Sequence, residues 1–150
     1  MNTLLLIGGL PGSGKTTLAM KIAEIGADVQ ICAADNYFSQ GGEYKFDPTK
    51  LTEAHADCQA RTEAAMKKAY SFVIVHNTFC NLWETTAYRI LADKYGYRVH
   101  FATLGDARQS IDELGLRNEH GVPRESIERM ANGDAIVLTH NADLRPPWAR

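Results

Sequence analysis

The sequence predicts an α/β fold in which a parallel sheet of four to five strands is sandwiched by helices. Four short apolar runs alternate with segments of helical period, a pattern typical of parallel strands joined by crossover helices. The runs are LLLIG (4–8), VQICA (29–33), FVIVH (72–76) and RVHFA (98–102). A chain of 150 residues suits one domain with a single core, so residues 1–150 are expected to form one unit.

Helices are expected between and after these strands. The segments of helical period are 15–26, 48–69, 81–95, 106–116 and 123–131. Gly26 and Gly96 follow helices, and Pro123 suits a first helical turn. The run DAIVLTH (134–140) is a candidate late edge strand. Residues 36–48 have no period, two adjacent glycines and several aromatics, so they are predicted to form a loop over a site.

Composition excludes some classes of protein. A net charge of −2 and a pI near 6.2 argue against a general nucleic-acid coat, although they leave room for a local basic groove. The three cysteines lack C-x-x-C spacing, which predicts reduced thiols in a cytoplasm rather than a disulfide framework or a zinc site. The apolar N-terminal run is too short for a signal peptide or a membrane span. We therefore expect a cytoplasmic protein with no membrane partner and no stable protein partner.

The stretch GGLPGSGKTT (8–17) fills the pattern G-x-x-x-x-G-K-[ST] between the first strand and the first helix. Glycines let successive backbone N–H groups turn inward and form an anion site with the helix N-terminus. The loop is predicted to hold ATP, with Lys15 on the β- and γ-phosphates and Thr16 on Mg²⁺. A glycine-rich turn without a ligand is the alternative. The predicted nucleotide-binding residues are Gly9, Pro11, Gly12, Ser13, Gly14, Lys15, Thr16, Thr17 and Arg124.

Polar residues follow the second and third strands, at the edge where open parallel sheets bind ligands. The second strand runs into AADNYF, where the Asp35 carboxylate could accept the proton of an attacking hydroxyl. The alternative is that Asp35 caps a turn or helix. The third strand ends in HNTF, where His76 stands and no carboxylate marks a metal. A hydrogen-bonded structural role for His76 is favoured over that of a base.

The stretch LRNEHGVPRESIERM places two arginines near a Gly-Val-Pro break. Phosphoryl transfer needs cationic groups that neutralise charge on the moving phosphoryl, and an arginine on a mobile segment can supply one. Arg117 is the first candidate and Arg124 the second, in a small arginine-bearing lid over about 106–130. The alternative is a solvated helix end with surface arginines.

Several of these strings together resemble a known family. GLPGSGKTTLA, AADNYF, YKFDPTKLTEAH, HNT and RNEHGVP, spread over about residues 4–130, are similar to small P-loop kinases related to the phage polynucleotide 5′-hydroxyl kinase domain. They also resemble phage kinases that act on 5-hydroxymethyluracil in DNA. The resemblance implies that Asp35 is the general base and that Arg117 neutralises the transferring phosphate. It places Asn77 on the acceptor side, where the polynucleotide kinases have an aspartate.

The function expected from the residues and the resemblance is ATP- and Mg²⁺-dependent transfer of the γ-phosphoryl to a primary hydroxyl on a nucleic acid. DNA is the favoured acceptor, and the compartment would be the host cytoplasm if a phage encodes the protein. The predicted acceptor-side residues are Asn36, Tyr37, Asn77 and Thr78. The aromatics of the 36–48 loop could stack a base or pack in the core. A kinase of a free nucleoside or small metabolite, and a nucleotide-binding switch without transfer, are the alternatives.

Overall fold

The computed structural model describes residues 1–104, 114, 116–118 and 120–132. Its strands are β1 (Thr3–Gly9), β2 (Val29–Cys32), β3 (Phe72–His76) and β4 (Arg98–Leu104). They form one parallel sheet in the order β2-β3-β1-β4. The predicted parallel α/β sheet is therefore confirmed, and β1 and β4 extend beyond the apolar runs that predicted them.

The helices are α1 (Lys15–Ile25), α2 (Leu51–Lys67), α3 (Thr86–Tyr95) and α4 (Arg124–Ala131). Short 3₁₀ turns at Pro48–Lys50 and Leu82–Thr85 precede α2 and α3, so these two predicted helices begin in tighter turns. The predicted helix 106–116 lies outside the described residues apart from Leu114 and Leu116, and the predicted strand 134–140 lies entirely outside them. Within the described ranges, no helix has both the length and the apolar composition to cross a membrane.

The prediction of an irregular loop over 36–48 is wrong for its first part. Ala34–Ser39 is a 3₁₀ helix, and only the residues from Gln40 to Asp47 lack helix or strand. Phe38 is the reason, because its ring is 6% exposed and belongs to the main core cluster. A single turn that buries one aromatic has no 3.6-residue stripe, so periodicity could not indicate it.

The core lies on both faces of the sheet. On one face, Leu4 and Val75 pack with side chains of α2 and α3 such as Cys58 and Tyr88. On the other face, Ile7 and Ile74 pack with Ala19 of α1. The near-continuous apolar character of β1 and β3 follows from this arrangement, because a central parallel strand is covered from both sides.

A third, smaller cluster joins the end of the described chain to the glycine loop. Leu10 and Cys80 are buried against Leu114 and against Ile127 of α4. At Gly12 the contact involves backbone, because a Cβ there would lie 2.4 Å from the Leu114 carbonyl oxygen. The chain around residue 114 therefore docks directly on the loop between β1 and α1.

Substitution of Gly12 tests this docking. Gly12 and Gly14 both have positive φ, at 82° and 96°, but a Cβ at Gly14 would meet nothing within 4 Å. We expect Gly14→Ala to lower the free energy of unfolding by about 1–2 kcal/mol, from backbone strain alone. Gly12→Ala should cost roughly 1–3 kcal/mol more, because the Leu114 backbone must move away. Chemical denaturation without nucleotide measures both, and equal losses in the two variants would contradict the docking.

Candidate active site

The polar ends of β1, β2 and β3 meet at one edge of the sheet. Parallel pairing sets Ile7 beside His76 and Cys32 beside Val75, so the residues that follow each strand emerge together. Lys15 and His76 both lie close to Asp35, because the negative charge of the Asp35 carboxylate acts to raise the pKa of each of them. The side chains that follow these strands therefore lie together at this edge of the sheet, which we call the crevice, and the roles predicted for them stay predictions.

The glycine loop has the backbone of an anion site. Gly9, Gly12 and Gly14 all have positive φ, which an L side chain rarely adopts. α1 begins after Gly14 with no side-chain cap and no acidic residue in its first turn. Its first N–H groups have no intrahelical partners, and the positive end of the helix dipole favours an anion there. The loop therefore fits the phosphate tail of a nucleotide.

Thr16 fits the predicted metal role by its position. Thr16 and Thr17 are exposed in the first turn of α1, beside the open helix end. Among the described residues, no group of three or more His, Cys, Asp or Glu side chains could hold a metal. A magnesium ion would therefore depend on the Thr16 hydroxyl together with phosphate oxygens and water.

The Lys15 side chain is hydrogen-bonded to the backbone of its own loop. Its Nζ donates to the carbonyl oxygens of Gly9 and Leu10 at 2.8 and 3.0 Å. Burial lowers the pKa of the Lys15 ammonium to about 8, against the opposing effect of the nearby Asp35 carboxylate. Ser13 Oγ is also buried and, within the described part of the chain, has no hydrogen-bond partner. The loop thus contains a buried hydroxyl, that of Ser13, which could bind a phosphate oxygen.

The peptide group between Ala33 and Ala34, one residue before Asp35, is hydrogen-bonded at both its carbonyl and its N–H. Its carbonyl, from Ala33, accepts a hydrogen bond of 2.7 Å from Arg61 Nη2 of α2. Its N–H, from Ala34, donates to Asn77 Oδ1 at 2.9 Å, just after β3. Arg61 is in turn fixed by Asp57, which accepts from Arg61 Nε at 2.7 Å. This clamp, formed by Arg61 and Asn77, fixes the backbone from which the Asp35 side chain extends.

Asn77 lies in the core rather than on the surface of the crevice. It is 8% exposed, and its Nδ2 donates toward Tyr88 Oη at 3.4 Å. The structure therefore places Asn77 behind the turn that carries Asp35, and its predicted contact with the acceptor stays a prediction. Thr78, the next residue, accepts from Gly9 N through its carbonyl at 2.9 Å, so the end of β3 is tied to the glycine loop.

The Asp35 carboxylate projects into the crevice and is 53% exposed. Tyr44 Oη lies 3.5 Å from Asp35 Oδ1, and His120 Nε2 lies 3.5 Å from Asp35 Oδ2. Of its predicted neighbours on the acceptor side, Asn36 is exposed, whereas Tyr37 donates to Glu53 Oε2 at 2.7 Å. A carboxylate that is fixed at its backbone and open to solvent on its outer side can accept a proton from an incoming hydroxyl.

His76 is uncharged in this environment. Burial lowers the pKa of its imidazole to about 4, the positive charge of Lys15 acts in the same direction, and Asp35 opposes both. At neutral pH the ring therefore carries no positive charge toward a phosphate. A neutral imidazole is compatible both with a structural role and with that of a base, so the role of His76 stays a prediction.

The two predicted arginines are exposed. Arg117 precedes Asn118, whose backbone nitrogen would lie 3.2 Å from a Cβ at Gly12, so Arg117 is carried next to the glycine loop. Arg124 begins α4, and its Nε donates to Glu128 Oε1 at 3.0 Å. Their roles toward phosphate stay predictions.

Sequence reasoning missed two neighbours of Asp35. Tyr44 had been considered only for base stacking or core packing, and no role was assigned to His120. The signal for His120 was present in the string HGVP, but its contact with Asp35 depends on how that string docks on the glycine loop. In the sequence, His55 and Arg61 of α2 could face a substrate, but packing explains this helix adequately, so the contact of Arg61 with the Ala33 carbonyl was not predicted.

The chain matches a known protein family and parts of several known proteins. Residues 4–133 match the family model described as AAA domain, and the chain belongs to this family. It is 40% identical over 128 residues to human NEDD4-binding protein 2, and this alignment covers 85% of this chain and 7% of that protein. It is also 35% identical over 57 residues to a uridine kinase of Borreliella burgdorferi, covering 38% of this chain and 28% of the relative. The chain thus spans only a small part of the curated relatives it matches.

The fold of the chain is similar to that of a solved structure. The chain is similar to a chain of the Pnkp1/Rnl/Hen1 RNA repair complex, with a TM-score of 0.70 and 19% identity, over 97% of this chain and 47% of that one. The resemblance to small P-loop kinases predicted from the sequence is therefore confirmed in the fold. The architecture is that of an α/β P-loop NTPase.

The lowered pKa of Lys15 gives the site a predictable pH dependence. A bound triphosphate should raise the pKa of this ammonium well above 8, so the free protein takes up a proton on binding ATP at alkaline pH. Affinity should be nearly constant below pH 7.5 and about eightfold weaker at pH 9 than at pH 7.5. Calorimetric titration with ATP at the two pH values measures this.

Lys15→Met is the control for that titration. It should bind ATP weakly at both pH values, with no fall between them, because it has no ammonium to lose. A wild-type affinity that is equal at pH 7.5 and 9 would show that binding does not change the pKa of Lys15 and would contradict this prediction.

Proposed function

We propose that this protein is an ATP- and Mg²⁺-dependent kinase that transfers the γ-phosphoryl to a primary hydroxyl on a nucleic acid, with DNA favoured. The observation that carries the proposal is the crevice itself. A phosphate-binding loop with Lys15 and an outward carboxylate at Asp35 open from the same sheet edge, close enough to interact electrostatically. A protein that only binds a nucleotide does not need this carboxylate, whereas phosphoryl transfer to an alcohol does.

Each predicted site residue has a separate role in the proposed phosphoryl transfer. Asp35 accepts the proton of the acceptor hydroxyl, whose oxygen forms a bond to the γ-phosphorus as the bond to the β–γ bridging oxygen breaks and ADP leaves. Lys15 exchanges the carbonyls of Gly9 and Leu10 for phosphate oxygens. Arg117 neutralises charge on the transferring group. Magnesium, when bound at Thr16, would supply further neutralisation of the triphosphate.

The comparisons support a kinase more strongly than they support any one acceptor. One relative is a uridine kinase, and one structural neighbour belongs to an RNA repair complex. The nucleic-acid acceptor rests on the motif string of the sequence and on the fold of that neighbour. The same crevice would serve any alcohol that reaches Asp35.

A free nucleoside is the second candidate acceptor, and a groove formed by residues between 37 and 50 favours it. This groove, of about 420 Å³, is lined by Tyr37, Phe38, Gln40, Gly41, Glu43, Lys45, Phe46, Asp47 and Lys50. Phe46 is 50% exposed there and offers a ring for stacking. The two lysines are balanced by the two carboxylates, so the groove has no excess positive charge for a polyanion.

A panel of acceptors separates the two. Incubation with γ-labelled ATP should label 5′-OH oligonucleotides or DNA that contains 5-hydroxymethyluracil, with free nucleosides left unlabelled. Label on uridine or another nucleoside alone would replace the nucleic-acid proposal with the second candidate. Gel electrophoresis and mass spectrometry identify which acceptor carries the new phosphate.

The Asp35→Asn variant tests transfer itself. Without the carboxylate, kcat for acceptor phosphorylation should fall roughly 10²- to 10⁴-fold, while calorimetric ATP affinity stays within a few-fold of wild type. Asp93→Asn, which changes an exposed carboxylate on α3, is the matched control and should keep wild-type kcat. Full transfer by Asp35→Asn would remove Asp35 as the base. A wild-type protein that binds ATP but phosphorylates no acceptor would instead favour a nucleotide-binding switch.

A further inference from the structure

Two chain segments that are distant in sequence meet over Asp35. Each oxygen of the carboxylate faces a different group, Oδ1 the hydroxyl of Tyr44 and Oδ2 the Nε2 of His120, both at 3.5 Å. The Tyr44 and His120 rings also contact each other, with centroids 4.4 Å apart and planes tilted by 37°. The carboxylate is thus bracketed by two rings that support one another.

The side chain of Asn118 builds the turn that presents His120. Asn118 Oδ1 accepts from the backbone nitrogens of His120 and Val122, both at 3.1 Å, and its Nδ2 donates to the Val122 carbonyl at 3.0 Å. Gly121 has a φ of 65°, which a glycine adopts without strain. We call residues 118 and 120–123 the HGVP turn. Because these hydrogen bonds hold the turn together, the position of His120 follows the position of the turn.

The HGVP turn is in turn anchored to the glycine loop. Val122 packs against the cluster that contains Leu10 of that loop and Ile127 of α4. The backbone nitrogen of Asn118 lies close to Gly12. The chain therefore connects the phosphate-binding loop to the Asp35 carboxylate through one small packed unit.

We propose that His120 is a positioning residue for the phosphoryl transfer proposed above, donating from Nε2–H to one oxygen of the Asp35 carboxylate so that the carboxylate is oriented toward the acceptor hydroxyl. The inference rests on the proposed function. Asp35 is half-exposed and would otherwise rotate about its side-chain bonds, which a base in reach of a defined proton must not do. Each carboxylate oxygen has two lone pairs, so the contacts with Tyr44 and His120 leave room for the incoming proton.

The length of the contacts agrees with this role. A separation of 3.5 Å is at the outer limit of a hydrogen bond, and catalytic hydrogen bonds are often long without substrate and shorten when it binds. The HGVP turn packs on the cluster that contains Leu10 of the glycine loop, so the position of His120 is tied to the position of that loop.

Two variants of His120 separate the effect of its N–H donor from the effect of its ring. His120→Gln keeps an N–H donor near the Nε2 position, whereas His120→Phe keeps a ring against Tyr44 and loses the donor. We expect kcat to fall 10- to 100-fold in His120→Phe and less than threefold in His120→Gln, with ATP affinity unchanged in both. His100→Phe, at an exposed position on β4, is the matched control and should match wild type. Wild-type kcat in His120→Phe, or equal losses in the Phe and Gln variants, would overturn the proposal.

A second measurement does not depend on the acceptor. The ¹⁵N resonance of His120 Nε2 in the full chain with bound ATP should shift when Asp35 is changed to Asn, because the carboxylate partner is lost. An unchanged resonance would refute the contact even if the kinase activity is established. If the wild-type protein labels none of the acceptors but the resonance shifts, the proposed function fails and the positioning contact stands.

Discussion

The peptide between Ala33 and Ala34 is the constraint on which the geometry of the site depends. Arg61 binds its carbonyl and Asn77 binds its N–H, so one peptide plane is fixed by α2 on one side and by the end of β3 on the other. A hydrogen bond from a charged donor contributes roughly 1.5–3 kcal/mol and a neutral one about 0.5–1.5 kcal/mol. The direction they impose matters more than this energy, since a displacement of the turn would carry the Asp35 carboxylate away from any acceptor.

The glycine loop combines a buried ammonium with an electropositive helix end. Burial disfavours the charge of Lys15, and the two carbonyls that its Nζ binds replace part of its hydration. The N-terminus of α1 favours an anion at the same place. The loop therefore has the charge distribution that suits a phosphate group.

The sequence predicted the sheet and the loop because both depend on local patterns. Short apolar runs fix the strands, and G-x-x-x-x-G-K-[ST] fixes the strand, turn and helix around Lys15. The 3₁₀ helix at 34–39 was missed, since burial of Phe38 alone decides it. The contacts of His120 and Arg61 with the neighbourhood of Asp35 join distant parts of the chain, and no local pattern encodes which rotamer or register brings them there. The position of Asn77 after β3 was readable, but its burial was not.

The charges around the groove formed by residues between 37 and 50 limit how a nucleic acid could bind there. Lys45 lies 3.6 Å from Glu43 and Lys50 lies 3.2 Å from Glu53, so both lysines already have a carboxylate nearby. Affinity for a polynucleotide backbone grows with the number of phosphates that lysine and arginine neutralise, and this groove neutralises few. A polynucleotide that lies in this groove would therefore gain little affinity along its backbone, and most of its binding would have to come from contacts with individual bases.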